Sequence, residues 1–547
     1  MPEALTGLGV SPGRTAGPLY RMAAPPTLPD RVPTVTDREA EIALATKALS
    51  YVATVLDERA SQVDGTAAEV LSTEAMMAAD KTLADAVAAA VGEGRPAAWA
   101  ITDAVAAQQE TFASLGGYFA ERAADLADIR DRAVAHLLDE PMPGLPAPGE
   151  PYVLAADDLS PADTALLDPA SVLAIVTRRG GPTSHTAILA RARGLPAVVG
   201  CADILSVTDG TAVSVDGTTG QVGPVDPAEV EAIRAEAAKE KERLASLTGP
   251  GRTADGHDVP LLLNVGGVGD LTEDAEGVGL FRTEFLFLDR TSAPGVDEQQ
   301  RVYTELFAAL GERKIVVRTL DAGADKPLPF LGLAEEDNPA LGVRGLRVAR
   351  VDRSVLTDQL TAIAGAAAAT EAEVWVMAPM VATPAEAAEF AEAVRAAGLP
   401  VAGAMVEVPA AAMRANRLLE VVDFVSIGTN DLSQYTMAAD RMNGDLADLL
   451  DPWQPAVLEL VFNCADAGRA VGKSVGICGE AAGDPLLALV FAGMGITSLS
   501  MSAASVPAVR AALAAHTLAE CERLAAVALD APDAATARQR VADGAHT

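Results

Sequence analysis

VLAIVTRRGGPTSHTAILARARG, residues 172–194, reads as one strand, one turn and one helix. The run 172–177 is apolar and rich in β-branched residues and ends at Gly180-Gly181, as a short buried strand closed by a turn does. Thr183 or Ser184 then caps a helix that runs through Ile188 and Leu189 and stops at Gly194. This order places His185 at a helix N-terminus, where unpaired N–H groups and a partial positive charge favour an anion and disfavour imidazolium. His185 is therefore the candidate for a neutral nucleophile that carries a phosphoryl group. A lone histidine in a turn serves as well to cap a helix, so the weight of that reading rests on the rest of the chain.

The 547 residues predict roughly two to four domains. A composition 50% hydrophobic and 21% charged is that of a folded protein. Apolar runs such as 363–369 fall far short of a bilayer span, so no membrane insertion is expected. The opening MPEALTGLGVSPGRTAG lacks a basic start and an apolar core, so no export signal is expected. Cys201, Cys464, Cys478 and Cys521 lie far apart without metal-type spacing, which predicts a reducing, cytoplasmic setting. The net charge of -35 argues against nucleic acid and anionic membranes as partners and suits a basic protein partner.

Proline and glycine divide the chain. Strand-like LTGLGVSPGRTAGPLYRM leads into the proline-rich link AAPPTLPDRVP, and from Thr36 to about Leu138 a helical period dominates, as in a helical bundle. Within it Met76 and Met77 read as core, and Glu74 and Asp80 as exposed. Residues 152–222 form a strand-rich unit around His185. Asp226-Pro227 reads as an N-cap with proline at the first helical position, opening a charged helix to Leu247.

The C-terminal half repeats one theme. Eight apolar strand candidates, at 260–265, 277–281, 314–317, 374–377, 401–406, 423–427, 474–477 and 497–500, are mostly separated by helical stretches, as a βα barrel requires. Arg282, Arg318, Glu407, Asn430, Asp431 and Cys478 fall just beyond these strands, and in a TIM barrel such positions converge on one face. Glu407 and Asp431 suit Mg²⁺, a hard cation that leaves positions for substrate oxygens. Arg282 and Arg318, with Arg441 as a third, are forks for phosphate. Cys478 is a candidate proton donor near neutral pH, although taken singly it reads rather as a small core residue and Arg441 as the partner of a neighbouring carboxylate. The set predicts a phosphorylated carboxylic acid as substrate, because three arginines, two carboxylates and an amide at one rim leave a field that an anionic ligand and a metal would balance.

GGPTSHTAILAR at 180–191, GVGLFRTEFLFLDR at 277–290, VRTLDAGADK at 317–326, DNPALGVRGLR at 337–347, AMVEVPAA at 404–411, SIGTNDLSQYTMAADR at 426–441 and GICGEAA at 476–482 together resemble enzyme I of the phosphoenolpyruvate:sugar phosphotransferase system. The likeness includes GVSPGRTAGP near the start and ERAADLADIRDR at 121–132, and covers nearly the whole chain. It implies a multidomain α/β protein: a phosphohistidine swivel domain (1–30 and 141–224), an inserted helical bundle (31–140), a helical linker (225–250) and a TIM (β/α)8 barrel (251–547). By position, His185 matches the phosphorylated histidine. Arg282, Arg318, Asn430 and Arg441 match the substrate phosphate ligands, Arg344 a further arginine of the pocket, Glu407 and Asp431 the magnesium ligands, and Cys478 the proton donor to enolpyruvate. The resemblance further implies phosphoenolpyruvate and pyruvate as substrate and product, the carrier protein HPr docked on the helical bundle, and a homodimer through the barrel. Pro182, the 437–439 segment and Met442 vary the family pattern without removing a reacting group.

Because substrate and HPr then bind different domains, the His185 domain is expected to swivel on the helix at 227–247. Pyruvate phosphate dikinase and phosphoenolpyruvate synthase share the histidine loop and barrel motifs but need an ATP-binding domain, and the chain carries no Walker-type loop. The nitrogen-related paralogue would require an added sensory domain. A silent phosphocarrier scaffold is disfavoured by the intact Glu407, Asp431, Cys478 and arginine set.

Overall fold

The computed structural model describes residues 4–545 other than 24, 30, 62–65, 116, 141–142, 147, 160–166, 169, 182–183, 273–274, 288–289, 291, 324–327, 335 and 442. Side chains at 66–70, 112–115, 117–124, 185, 188, 192, 245, 444–445 and 447 also lie outside the description.

Strands β1 (Leu5–Thr6), β2 (Leu8–Ser11) and β3 (Arg14–Arg21) open the chain. Five helices follow: α1 (Arg38–Ala60), α2 (Thr66–Ala78), α3 (Lys81–Gly92), α4 (Ala97–Leu115) and α5 (Gly117–Leu138). Their core is built from Val52, Leu56, Leu83, Val87, Ile101 and Ile129, all buried. Asp37 and Asp80 cap α1 and α3 by accepting from Ala40 N and Thr82 N. Two expectations for α2 fail. Met76 is 74% exposed and Glu74 is buried, while Met77 packs against the core and Asp80 is exposed as expected.

The chain then re-enters the first sheet with β4 (Tyr152–Ala156), β5 (Val172–Thr177), helix α6 (His185–Arg193), β6 (Ala197–Val199), β7 (Ala212–Asp216) and β8 (Gln221–Pro224). The strand order is β1-β8-β7-β3-β4-β5-β6-β2. Its middle, β3 to β6, is parallel, and β7 and β2 pair antiparallel to β3 and β6. Apolar side chains alternate between two layers, Leu154 and Ile175 on one face and Val153 and Val176 on the other.

Helix α7 (Val230–Ala245) links this unit to the barrel. It begins at Val230, not at Pro227. Asp226 instead closes a turn, accepting from Ala228 N through its side chain and from Glu229 N through its carbonyl. Arg234 donates from Nε to Ala16 O at 2.7 Å, tying the start of α7 to β3, and Arg510 donates to Leu247 O at 2.9 Å beyond its end.

All eight strands expected in the C-terminal half are present: β9 (Leu261–Val265), β10 (Gly277–Arg282), β11 (Lys314–Arg318), β12 (Glu373–Ala378), β13 (Ala402–Val406), β14 (Phe424–Ile427), β15 (Ser474–Ile477) and β16 (Ser498–Met501). They pair in parallel and close, β16 onto β9. The helices outside include α8 (Val296–Leu310), α9 (Arg353–Ala368), α10 (Pro384–Ala396), α11 (Pro409–Met413), α12 (Ala415–Val421), α13 (Thr429–Met437), α14 (Pro455–Val471), α15 (Pro485–Met494), α16 (Val506–Ala515), α17 (Leu518–Leu529) and α18 (Ala534–Ala545). Inside the barrel Leu280, Val316, Met377, Met405 and Phe424 pack with Cys478. At its foot the Lys314 ammonium lies 3.4 Å from the Trp375 ring centroid. The fold is thus a multidomain α/β one, a sheet unit with an inserted helical bundle joined by a helix to a (β/α)8 barrel. Among the described residues no helix is long and apolar enough to cross a membrane.

Candidate functional site

Strand alternation sets the first two side chains. Arg282 and Arg318 end β10 and β11, in line with inward-facing Leu280 and Val316 two residues earlier. Glu407 directly follows β13, Asp431 lies in the first turn of α13, and Cys478 follows β15. All of these sit at the C-terminal ends of barrel strands. Arg344 arrives differently, from the long excursion after β11, held by an antiparallel bridge between Gly323 and Arg344. Arg441 returns after α13, whose end is turned by Ala438 in the left-handed region at φ 53°. Its backbone N–H donates to Gln434 Oε1 at 3.1 Å.

These residues form one ionic network. Arg318 Nη2 lies 2.6 Å from Glu284 Oε1 and its Nη1 3.0 Å from Asp321 Oδ2. Arg344 Nη1 is 3.0 Å from Asp431 Oδ1 and 3.1 Å from the Tyr435 hydroxyl, and its Nη2 is 3.6 Å from Asp321. Arg441 Nη1 approaches Asp431 Oδ2 at 3.7 Å. Tyr435 in turn donates to Ala340 O. Glu284, Asp321 and Tyr435 are members that sequence reasoning missed, and they reduce the expected imbalance, because three arginines pair with three carboxylates. Glu284 and Asp321 lie inside quoted motifs, but a residue in the turn after a strand carries no periodic signal of its direction.

Burial and the neighbouring charges set the electrostatics of the site. Burial first, then the nearby Asp431 and Asp321 carboxylates, push Glu407 up to about 8, with Arg318 and a hydrogen bond from Met380 N opposing. Glu407 and Asp431 are hard oxygen donors, and one or two protein carboxylates are a hard cation's usual share, while Asp431 here faces Arg344 with Oδ1 and Arg441 with Oδ2. Among the described residues no group of three or more His, Cys, Asp or Glu side chains has metal-holding geometry. Burial lowers the Arg318 value, but Glu284, Asp321 and Glu407 outweigh it and raise it, so the guanidinium stays charged. The Nε atoms of Arg282 and Arg318 are buried without a hydrogen-bond partner, and Arg282 makes no ion pair among the described residues. Its guanidinium lies 5.5 Å from the Phe285 ring.

Cys478 is 3% exposed and its thiol is pushed up to about 12, chiefly by burial. It therefore stays protonated near neutral pH. Its loop is fixed on both sides: Cys478 N donates to Ile427 O at 3.1 Å, and its carbonyl accepts from Asn264 Nδ2, itself held by Ser500. Gly428 is needed for the same closeness, since a Cβ there would lie 2.8 Å from Glu407 Cγ.

The sheet unit is docked on this rim. Ser184 caps α6, its hydroxyl accepting from Ala187 N, and Gly194 ends the helix in the left-handed region at φ 62°. His185 is the first residue of α6. Its side chain, like Pro182, Thr183 and Met442, lies outside the described residues. Arg191 of α6 reaches Glu480 of the barrel at 2.8 Å, Arg538 donates to Thr218 O, and a Cβ at Gly194 would stand 3.9 Å from Ala504 Cβ. Between the two units remains a cavity of about 80 Å³, lined by Val10, Arg191, Asn430, Trp453 and Glu480 among others. Asn430 thus faces the docked unit while its neighbour Asp431 turns into the arginines.

Known families match in the same order along the chain. The PEP-utilising enzyme N-terminal family matches residues 6–122, the PEP-utilising enzyme mobile domain 148–220, and the PEP-utilising enzyme PEP-binding domain 239–518. A phosphoenolpyruvate-protein phosphotransferase of Streptomyces coelicolor is 52% identical over 100% of both chains. One of Haloferax volcanii is 42% identical over 87% of this chain and 86% of its own. A multiphosphoryl transfer protein of Xanthomonas campestris is 38% identical over 98% of this chain and 66% of its own.

Proposed function

The chain belongs to the PEP-utilising enzymes, among the phosphoenolpyruvate-protein phosphotransferases, and on that premise we propose the route by which its residues move the phosphoryl group. The reaction is phosphoryl transfer from phosphoenolpyruvate to protein, with pyruvate released. The observation that carries the assignment of residues is the shared rim: it holds the strand-end arginines and two buried carboxylates, and the unit that bears His185 docks on it through Arg191 and Glu480.

Arg282 and Arg318, with their unpartnered Nε donors, take the substrate phosphate, and Arg441 and Asn430 complete its surround. Arg344, fixed by Asp431 and Tyr435, closes the pocket wall. Glu407 and Asp431 would hold Mg²⁺, which would offset the negative charge that phosphate and carboxylate bring to the site. Neutral His185 attacks phosphorus in line, forming the N–P bond as the P–O bond to enolpyruvate breaks. The Cys478 thiol gives its proton to the enolate methylene carbon, yielding pyruvate, and the thiolate regains a proton from solvent. Phosphorylated His185 then passes its group to a histidine of HPr.

HPr docks on the helical insertion, where exposed Met76 and Asp80 offer an apolar and an acidic contact. The barrel supplies the homodimer contact, for which Phe285, Leu341, Val351 and Met413 are exposed. We place the chain in the cytoplasm, with its four cysteines free.

The test is transfer of ³²P from labelled phosphoenolpyruvate, with Mg²⁺, to the wild type and to His185→Ala, with and without HPr and with ATP as rival donor. Acid-labile label on the wild type alone, passed to HPr and returned to phosphoenolpyruvate by added pyruvate, is expected. Label entering only from ATP, or none, would overturn the assignment.

A further inference from the structure

We propose that Arg191 and Glu480 form a latch that seats the His185 unit on the barrel and ties phosphoryl capture to protonation of the enolate; this rests on the function proposed above. Arg191 lies on α6, the helix that His185 begins, and Glu480 lies two residues beyond Cys478. The pair therefore joins the element that receives phosphorus to the loop that delivers the proton.

The geometry is that of a positioning contact. Arg191 Nε donates to Val10 O at 2.7 Å within its own unit, and Nη1 reaches Glu480 Oε2 at 2.8 Å across the interface. One planar fork thus fixes α6 against β2 and both against the barrel, which a lysine, a point charge without fork geometry, does not do. The side chains are only 10% and 27% exposed, so the interface shields the pair from water. Removing one partner of such a shielded pair leaves the other charge poorly solvated in the docked state, a cost an exposed pair does not carry. Glu480 is presented rigidly, because the preceding loop is pinned by Ile427 O and Asn264, as described above. When the unit lifts away, both charges return to water. The latch therefore acts on docking, with no part in passing phosphate to HPr once α6 has left the rim.

Two half-reactions separate this role from a structural one. In the first, phosphoenolpyruvate and Mg²⁺ phosphorylate His185 in a single turnover; in the second, the purified phosphoprotein gives its group to HPr. Glu480→Ala is expected to slow the first by about tenfold or more, with the phosphoenolpyruvate concentration for half-maximal rate little changed, and to leave the second at the wild-type rate. Glu480→Asp, which keeps the charge on a shorter arm, should recover part of the loss. Arg191→Lys should also slow the first step, but add little to Glu480→Ala, since the two act through one contact. Equal slowing of both half-reactions, an unaffected first half-reaction, or full additivity of the two substitutions would overturn the latch. Unfolding midpoints within error of the wild type exclude misfolding of the Glu480 variants. If the wild type itself takes no label from phosphoenolpyruvate at His185, it is the proposed function that fails. If the wild type labels and Glu480→Ala labels as fast, only the latch fails.

Discussion

Glu284 and Lys314 are two buried or half-buried charges in the same barrel whose removal has opposite consequences. Glu284 neutralises Arg318, and both side chains are almost wholly buried. Glu284→Gln strips the guanidinium of a counter-charge it cannot replace with water, and should lower stability by about 3 kcal/mol, read from urea unfolding. Lys314 is different. Burial pushes its amine down to about 8, with Glu373 opposing. The amine's full contribution to stability is present above its unfolded value of 10.5 and is lost as pH falls through 8. Lys314→Met should therefore stabilise the protein below pH 8, by at most about 3 kcal/mol, with the gain vanishing above the unfolded value. Thermal unfolding of both chains across that range checks the sign. The two residues also differ in how far sequence betrays them. Arg282, Arg318, Glu407 and Cys478 are legible because each ends or follows a recognisable strand. Glu284 and Asp321 sit in turns where the two-residue period has stopped, so their inward direction is decided only by tertiary closure.

At the level of elements, α13 begins where β14 ends, and Gly428 is the joint. An added Cβ at 2.8 Å from Glu407 Cγ and 2.9 Å from its Oε1 must displace either the helix start or the carboxylate. Gly428→Ala should raise the Mg²⁺ concentration needed for half-maximal phosphorylation of His185 by about tenfold, while circular dichroism stays unchanged. Unchanged metal dependence would show that Glu407 holds no metal. The barrel strands are legible as elements because short apolar runs bounded by polar ends have few other readings. Helix α2 is not, since its alanine-rich sequence gives little contrast between faces, and so Met76 points to water and Glu74 inward against expectation. The linker helix shows a third case. Asp226-Pro227 carries the signals of a helix start, yet its hydrogen bonds close a turn and α7 waits until Val230.

For the whole molecule, the order of units along the chain can be read from composition, but their docking cannot, because no local rule encodes which surfaces meet. The docked arrangement makes a direct test of movement available. An ideal Cβ built on Gly194 would stand 3.9 Å from Ala504 Cβ across the interface, within the range a disulfide spans, at the cost of a side chain in the left-handed region at φ 62°. Gly194→Cys with Ala504→Cys, once oxidised, should hold the unit on the barrel. His185 should then still take label from phosphoenolpyruvate but no longer pass it to HPr, and reductant should restore transfer. Transfer undiminished in the oxidised protein would rule out the swivel. Arg234 ties the start of α7 to β3 and Arg510 holds Leu247 beyond its end, so a swivel would have to bend the exposed, charged turns between them.

The helical insertion has a simpler geometric ancestry than its size suggests. It leaves at the end of β3 and returns at the start of β4, and these strands are neighbours in parallel, with Leu19 opposite Val153. A parallel pair always requires a crossover, and about a dozen residues suffice for one. Residues 22–151 are that crossover, expanded into a bundle with its own core. A single designed helix in their place should leave the sheet's strand order intact, so the bundle can be exchanged, retargeted or evolved without redrawing the unit that carries His185.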